Sequence, residues 1–497
     1  MAEERYHQEY RFGPIERRGL AGGLRPGQVL VLGCACLLGV AIFRRLPSAG
    51  GLALALLVVL VACLGVWFGP AGRQLDEWAP IVASWLWLRA RREQRWTSGR
   101  PEAGTSVRLG HRATKTLPSP PHPSLAEVEV SSAPLNDERE VGVLVDRRQN
   151  TYTAVLALRV RSFGLLAASE QERRLTRWGQ TLASVAREGG AVKRVQILER
   201  TLPHDDDQLR TWLDSQATDD IADDSAIRRS YDGLLRNASD VTQDHEVLVA
   251  IQIDPRRSRT SSDRTLTAEA HANSLLLREV RALAERLDGS DAGVVGVCDP
   301  AECARVIATA LDPFSRRRSL PAGPTATEVS WDRFRIEGAV HRTYWVAQWP
   351  RLAVGPAFLG PVLLSQAAVR TFSVVIEPVP PSRSRSAVEA AITSDEADEQ
   401  LRRERGFRTT ARRRGQQAAT RRRETELSEG HEELRFAGYL TVSGRNDAEL
   451  DRHCDEMLQA AQQAYLDLQP MWGQQDTSFA AGALPYCHGL ARGRLLS

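Results

Sequence analysis

Two uncharged apolar runs near the N-terminus dominate the hydrophobic pattern. They extend from Val29 to Phe43 and from Leu52 to Phe68, with the short connection RRLPSAGG between them. A bilayer core of about 30 Å needs roughly 20 residues of helix, so the first run is short. Flanking arginines can reach the interface and a helix can tilt, which makes a short run tolerable. The pattern predicts a transmembrane helical hairpin at 29–72, after an N-terminal segment at 1–28.

Arginines flank this hairpin unevenly. Five precede it and six follow it up to residue 100, whereas only Arg44 and Arg45 lie between the runs. Because positively charged segments stay in the cytoplasm, we expect two spans in the cell (inner) membrane with both termini cytoplasmic. A cleaved signal peptide is the alternative, but the first 28 residues contain four glutamates, and a second apolar run follows at once.

Residues 73–100 combine indole rings with an arginine cluster directly after the hairpin. This composition predicts an amphipathic helix in the membrane interface, with rings at headgroup level and arginines near anionic lipid. An ordinary packed helix of the soluble region is the alternative. The candidate membrane-interface residues are Trp78, Trp85, Trp87, Arg89, Arg91, Arg92 and Arg95.

The chain then changes character twice. Residues 101–134 are rich in Pro, Ser, Gly and Thr, which predicts a linker. From residue 135 apolar strands alternate with amphipathic helices, and the segments 151–188 and 436–468 share the order strand, polar link, helix. We therefore predict an α+β fold: a cytoplasmic region of two ferredoxin-like (split βαβ) sandwich units, at 135–330 and 331–497.

A charged arm at 395–433 interrupts the second unit. It has no apolar stripe, so the pattern fits either a solvated helical arm or disorder. Its arginines are either a solvated structural feature or a contact for phosphate, DNA or anionic lipid. The candidate contact residues are Arg412, Arg413, Arg414, Arg421, Arg422 and Arg423.

Composition removes several kinds of chemistry. Lys115 and Lys193 are the only lysines, and neither stands in the glycine-rich loop that binds nucleotide phosphates. The sequence also lacks zinc-protease and serine-hydrolase motifs, so we expect no enzyme, no catalytic residue, no metal and no cofactor. Zinc held by the neighbouring Cys and His residues is the remaining alternative, at Cys298, Cys303, His453, Cys454, Cys487 and His488.

Several segments resemble bacterial secretion proteins. YRFGPIERRGLAGGLRPGQ, the two apolar runs and LDEWAPIVASWLWLRARR resemble an actinobacterial membrane protein family associated with conjugation, and the PrgI-like inner-membrane subunits of type IV secretion systems. The soluble region is similar to the non-motor N-terminal domain of the type IV secretion ATPase. That similarity rests on HRTYWVAQWPRLAVGPAFLGPVLL (341–364), TFSVVIEPVP (371–380) and QQDTSFAAGALP (474–485). The motor motifs of that ATPase have no counterpart in this sequence.

The resemblance implies a non-enzymatic inner-membrane scaffold of a conjugation or type IV secretion-like apparatus. Its expected partners are the membrane, a separate ATPase, polytopic channel subunits and further copies of itself. The alternative is a membrane-tethered protein that binds DNA or anionic lipid through the arginine-rich arm. A membrane-anchored hydrolase using the Cys and His residues is the third hypothesis.

Overall fold

The computed structural model of the protein shows a helical hairpin, a third helix and a large sheet covered by helices. It describes residues 12, 26–67, 75–91, 93–97, 128–136, 139–160, 166–203, 226, 230, 233, 243–258, 267–290, 292–315, 326–336, 338–366, 368–404 and 411–489. The helices are α1 Pro26–Arg45, α2 Ala49–Trp67, α3 Leu75–Ala90, α4 Ala168–Ala183, α5 Ala268–Asp288, α6 Pro300–Leu311, α7 Gly360–Leu363, α8 Pro381–Glu404, α9 Ala411–Ser428, α10 Asp447–Gln463 and α11 Gln475–Gly482. The strands are β1 Arg95–Thr97, β2 Val128–Pro134, β3 Glu140–Asp146, β4 Thr151–Arg159, β5 Val192–Pro203, β6 Gln243–Ile253, β7 Gly293–Val297, β8 Ala326–Val329, β9 Phe334–Ile336, β10 Ala339–Gln348, β11 Val369–Pro378, β12 Leu434–Gly444 and β13 Asp467–Pro470.

Helices α1 and α2 pack against each other through small residues. Ala35 and Ala55 are buried, and a Cβ added to Gly39 would lie 3.5 Å from the Ala55 carbonyl oxygen. Small residues let helix backbones approach closely in lipid. Burying a leucine between two helices gains little there, because lipid tails are as apolar as the leucine side chain. By length and hydropathy the stretch Gln28–Arg45 qualifies as a membrane span, while the apolar stretch of α2, Ala49–Gly65, is shorter. A second span stays a prediction.

The described strands form one antiparallel sheet, in the order β1-β8-β9-β10-β12-β11-β5-β6-β4-β3-β2. Two more strands leave this path, since β13 pairs with β10 and β7 pairs with β4. The mixed α+β fold class is therefore confirmed. The sheet runs through both predicted units without a break, because β5 of the first pairs with β11 of the second from Val195↔Ile376 to Thr201↔Arg370. The ferredoxin-like arrangement stays a prediction.

Some element boundaries differ from the sequence prediction. Strand β2 lies within the predicted linker; it pairs with β3 along its whole length at one edge of the sheet. The charged arm is helical and longer than predicted, since α8 and α9 are inserted between the neighbouring strands β11 and β12. Val388 and Ala391 of α8 and Thr420 of α9 are buried. Small buried side chains thus take the place of a broad apolar stripe.

Apolar side chains fill both faces of the sheet. On one face, Leu276 and Val280 of α5 pack on Val195 and Ile251. The same face continues under α10, where Met457 joins a core that includes β10, β11 and β12. On the other face, α6 and α11 cover residues of β4, β5 and β6. Helix α6 begins with a capping box between Asp299 and Glu302, which fixes its first turn.

The second face also contains a row of buried polar side chains. The Gln196 amide donates to the Ala481 carbonyl at 3.1 Å, and its oxygen accepts from the Cys487 N–H at 2.7 Å. Gln252 donates to the Tyr486 carbonyl at 3.1 Å, and Arg200 donates to Ala483 at 3.3 Å. Because a buried amide left unpaired costs free energy, these bonds hold the 481–487 backbone at fixed positions on the sheet.

His341 of β10 is buried on this face. Its Nε2 lies 3.0 Å from the Leu311 carbonyl, its Nδ1 lies 2.9 Å from the Ser443 hydroxyl, and its ring packs 4.6 Å from Phe479. A neutral imidazole satisfies both partners, since Nε2–H donates and Nδ1 accepts. Burial lowers the pKa of His341 to about 4, against the opposing effect of the Leu311 carbonyl.

This depressed pKa predicts a loss of stability in acid. The unfolded chain takes up the proton near pH 6.5, so the stabilisation is complete above that pH and is lost as the pH falls toward 4. Between pH 7 and pH 5 we expect the full-length protein in mild detergent to lose about 2 kcal/mol more than its His341→Gln variant. Thermal unfolding at both pH values measures this, with the exposed His431→Gln as control. Equal losses in wild type and His341→Gln would contradict the assignment.

Candidate functional site

The tip of the β8–β9 hairpin meets helix α3, and we define the tryptophan clamp as Trp78, Trp85 and Trp331. Trp331 lies in the turn that Ser330 closes by donating to the Arg333 carbonyl at 2.9 Å. Its ring stacks on Trp78 at 6.0 Å and 14°, and Trp85 meets it edge-on at 5.1 Å and 83°. Trp78 and Trp85 lie two turns apart on one face of α3, so a single ring contacts both.

Gly473 completes the packing around the clamp. It adopts φ +67°, where L side chains are strained, and a Cβ there would lie 2.7 Å from the Trp331 ring and 3.1 Å from Ile81. Its N–H also donates to the Trp331 carbonyl at 2.7 Å. Ile81, on the clamp face of α3, is buried. Backbone conformation and close packing therefore both require glycine at this position.

The chain that leaves α3 enters the sheet directly. Strand β1 pairs with β8, and the Val329 N–H donates to the Gln94 carbonyl at 2.8 Å. Arg95 adds an ion pair with Glu328, at 2.8 Å between Nη2 and Oε1. Two kinds of contact, ring packing and strand pairing, thus attach the segment after the hairpin to the same edge of the sheet.

An ion-pair network lies behind the clamp. Arg342 reaches Asp332 at 2.8 Å and Asp451 at 3.0 Å, while Arg333 reaches Asp447 at 2.8 Å. Burial alone would raise the pKa of Asp332, but the bonds and charges of Arg333 and Arg342 hold it below its ordinary value. Hydrogen bonds from Arg333 and Arg335 likewise lower the pKa of Asp447. The network joins the turn that contains Trp331 to the start of α10.

The structure divides the candidate membrane-interface residues between two faces of α3. Trp78 and Trp85 face the sheet, whereas Trp87 is 54% exposed, with the Arg91 guanidinium 3.6 Å from its ring centroid. Val82 and Leu86 are exposed as well. Arg89 lies over Trp85 at 5.4 Å. An interfacial role of α3 remains a prediction. In such a role, the exposed side chains of Val82, Leu86 and Trp87 would supply the apolar contact with the membrane.

The end of this segment differs from the sequence prediction. Helix α3 ends at Ala90, before the predicted boundary at residue 100, and Arg95 belongs to a strand. The physical reason is that Arg95 to Thr97 find backbone partners on β8. Arg92 lies outside the described residues.

The candidate phosphate or lipid contacts all belong to α9. Arg421 and Arg422 are exposed, Arg422 pairs with Glu426 at 3.2 Å, and Arg423 pairs with Glu433 beside Ser384. These pairs fix the base of the arm. The side chains of Arg412, Arg413 and Arg414 lie outside the described residues, and a phosphate or lipid contact remains a prediction.

The four cysteines considered for zinc are buried in the hydrophobic core, and the two histidines have partners of their own, Ser443 for His453 and Asp146 for His488. Cys454 lies in the core under α10, and Cys487 lies in the core of the second face, where its Sγ is 3.7 Å from the Ala250 carbonyl oxygen. These two cores lie on opposite faces of the sheet, so the Cys454 and Cys487 pairs do not converge. Burial raises the pKa of the Cys487 thiol to about 12. Among the described residues, no three metal-binding side chains come together.

Two functional contacts escaped the sequence analysis. Trp331 was not singled out, although a lone tryptophan in the polar turn SWDR is a usable signal. Phe12 was quoted only as part of a resemblance, yet its ring stacks on Trp349 at 5.3 Å. Phe12, which precedes the helical hairpin in the sequence, therefore contacts the sheet, which follows the hairpin.

Comparison with known families points to secretion. The model of a family described as "Putative type VII ESX secretion system translocon, EccE" matches residues 241–346, which is less than half of the chain. No curated protein matches the chain. The matched range begins near the start of β6 and ends within β10, so it includes Trp331, Arg333 and Arg342. The match supports a membrane-associated component of a secretion system and leaves the finer class open.

The clamp predicts a local effect of one substitution. Replacing Trp331 by Ala removes the ring that both α3 indoles contact, at a cost of about 2 kcal/mol for a half-buried aromatic. We expect α3 to detach more often, so that trypsin cleaves after Arg89 and Arg91 about 30-fold faster in full-length protein. Leu86→Ala, on the exposed face, is the matched control and leaves the rate unchanged. Similar acceleration in both variants would show that α3 is not held by the clamp.

Proposed function

We propose that the protein is a non-enzymatic, membrane-anchored structural subunit of a secretion translocon of the type VII ESX class. Helices α1 and α2 anchor it, and the sheet is a cytoplasmic platform on which channel subunits and a separate motor ATPase dock. The observation that carries the proposal is the attachment of α3 to the sheet at Trp331, inside the range that the family match covers.

The attachment has the properties that a scaffold requires. Ring stacking, strand pairing and the Arg95 ion pair act together on one short segment. A subunit that binds partners in the cytoplasm passes force to its membrane anchor through such a segment. A flexible linker would let the platform move freely, whereas packed elements transmit displacement.

The absence of catalytic motifs in the sequence supports a structural role. Neither lysine belongs to a nucleotide-binding loop, and the four cysteines of the soluble region are buried. His341 and His453 donate or accept bonds within the protein's own core. A motor activity would then come from another protein, which is why the proposal includes a separate ATPase.

The class of secretion system is chosen on the family match. The resemblance to type IV proteins rests on hydrophobic patterns at 341–364, 371–380 and 474–485, while the family model covers 241–346 and names a type VII translocon. We therefore favour type VII. The match gives no support to a role in conjugation or DNA transfer, so the proposal does not include these functions.

The two-span topology also belongs to this proposal. Phe12 precedes α1 and the sheet follows α2, yet the two are in contact. Segments in contact lie on the same side of a membrane, so an even number of crossings separates them. With α1 as one span, this contact supports α2 as the other, and the arginine distribution supports a cytoplasmic position for both ends.

Purification from native membranes tests the role. Tagged full-length protein, extracted in mild detergent, is expected to bring down polytopic channel subunits and a motor ATPase of a type VII system, identified by mass spectrometry. Extraction after a high-salt wash controls for loose charge contacts. Recovery of a conjugation ATPase would assign the protein to type IV instead. If no channel subunit or ATPase is recovered, the scaffold proposal fails.

Cysteine labelling tests the topology. In a variant whose native Cys34, Cys36 and Cys63 are replaced by Ala, Ser48→Cys lies between the two spans and is expected to react with a membrane-impermeant maleimide in intact cells. Val295→Cys, on the exposed surface of β7, should react only after permeabilisation. Protection of Ser48→Cys in intact cells, or labelling of Val295→Cys there, would refute two spans with a cytoplasmic platform.

A further inference from the structure

Phe12 enters a group of three rings that we define as the aromatic socket: Trp349, Phe358 and Phe436. Its centroid lies 5.3 Å from Trp349, 5.5 Å from Phe358 and 6.2 Å from Phe436. The rings come from three different segments, namely the residue after β10, the turn before α7, and β12. Trp349 and Phe436 also meet each other edge-on at 5.3 Å.

The backbone of β12 is shaped to hold this socket. A Cβ added to Gly438 would lie 2.7 Å from the Trp349 ring and 2.8 Å from Val346. The absence of a side chain lets the indole lie close over the strand. Since any other residue at 438 would push the ring away, the position of Trp349 depends on this glycine.

The socket opens to the surface of the platform. Trp349 and Phe358 are only partly buried, and Phe436 is 41% exposed even with Phe12 in place. Leu352 and Leu364, in the same connection between β10 and β11, are 64% and 75% exposed. Exposed apolar surface such as that of the socket rings indicates a docking site, and here the structure shows the Phe12 side chain seated on it.

The geometry points to the N-terminal segment as a second attachment of the platform to the membrane anchor, with Phe12 in the aromatic socket as its fixing point. The clamp holds the chain that leaves α2, and the socket holds the chain that enters α1. The hairpin is thereby tied to the sheet at both of its ends. This inference depends on the membrane hairpin and not on a role in secretion.

The occupant is the segment of the same chain. Residues 13–25 separate Phe12 from the start of α1, a length that reaches roughly 45 Å when extended. A tether of that length gives Phe12 a high effective concentration near its own socket, which favours it over the Phe12 of a neighbouring copy.

The two attachments together fix an orientation. A platform held at the clamp alone can turn about the segment between α2 and α3. A second fixing point in another part of the sheet removes that rotation, because the clamp is at the turn between β8 and β9, whereas the socket is formed after β10 and on β12, farther along the strand order.

A photocrosslinking experiment tests this inference. The full-length protein, with p-benzoylphenylalanine in place of Phe12, is reconstituted in nanodiscs of phosphatidylglycerol and phosphatidylethanolamine and irradiated. We expect crosslinks to residues 349–364 or 436 at the mass of a single chain. The same probe in place of Phe43, an exposed residue of α1, is the control and should react with lipid.

Variants of the socket complete the test. Trp349→Ala is expected to lower the Phe12 crosslink yield about tenfold, and Phe358→Leu, which keeps an apolar side chain but removes the ring, about threefold. Phe358→Leu guards against unfolding, since its thermal unfolding should match wild type. Crosslinks to lipid or to other parts of the chain, a product at the mass of two chains, or unchanged yields in both variants would each overturn the inference.

Discussion

The contact of Trp331 with the two indoles Trp78 and Trp85 attaches helix α3 to the sheet, and the position of the helical hairpin relative to the sheet depends on it. Helix α3 has an apolar face on each side: Trp78, Ile81 and Trp85 on one, and Val82, Leu86 and Trp87 on the other. One tryptophan from the sheet satisfies the first face, because aromatic rings bury a large area and pair best edge-on or offset. The second face is left for another environment. The contact with the sheet therefore uses only one face of α3, and an interfacial position for the other face remains a prediction.

The sheet can receive that contact because its own interior is held by directional bonds as well as apolar packing. Arg200 is fully buried, and burial lowers its pKa, yet it donates to the carbonyls of Val306 and Ala483. Gln196 donates to Ala481 in the last turn of α11 and accepts from Cys487 in the segment that follows. Removing one partner of such a bond leaves a buried polar group unpaired, so the covering segment has one favoured position. The edge that carries Trp331 is built on this fixed framework.

Local patterns predicted much of this fold. The uncharged runs predicted α1 and α2. The order strand, polar link, helix at 151–188 predicted β4 and α4, and the same order at 436–468 predicted β12 and α10. The α+β class followed from their order. Strands β1 and β2 were not predicted, because they form by pairing with other strands and have no clear pattern of their own. Strand β1 is three residues long, and β2, with the sequence VEVSSAP, is short and polar and follows a proline-rich stretch. For the charged arm the sequence left a helix and disorder open, because buried side chains such as Ala391 and Thr420 are too small to form a recognisable apolar stripe. Of the candidate site, the sequence identified Trp78 and Trp85 but assigned them to lipid, because nothing in it says which indole meets another protein segment.

Strand β1 also has a consequence for how the protein is made. Arg95 and Glu328, which pair across β1 and β8, are 233 residues apart in the chain. At about 5 to 20 residues per second, the ribosome needs roughly 10 to 50 s to produce Trp331 after α3 has emerged. During that interval the clamp face of α3 has no ring to receive it. With the hairpin in the membrane, as proposed, the bilayer is the nearest apolar phase. In the proposed membrane topology, one face of α3 would therefore leave the lipid surface for the sheet only after β8 and the Trp331 turn have been synthesised.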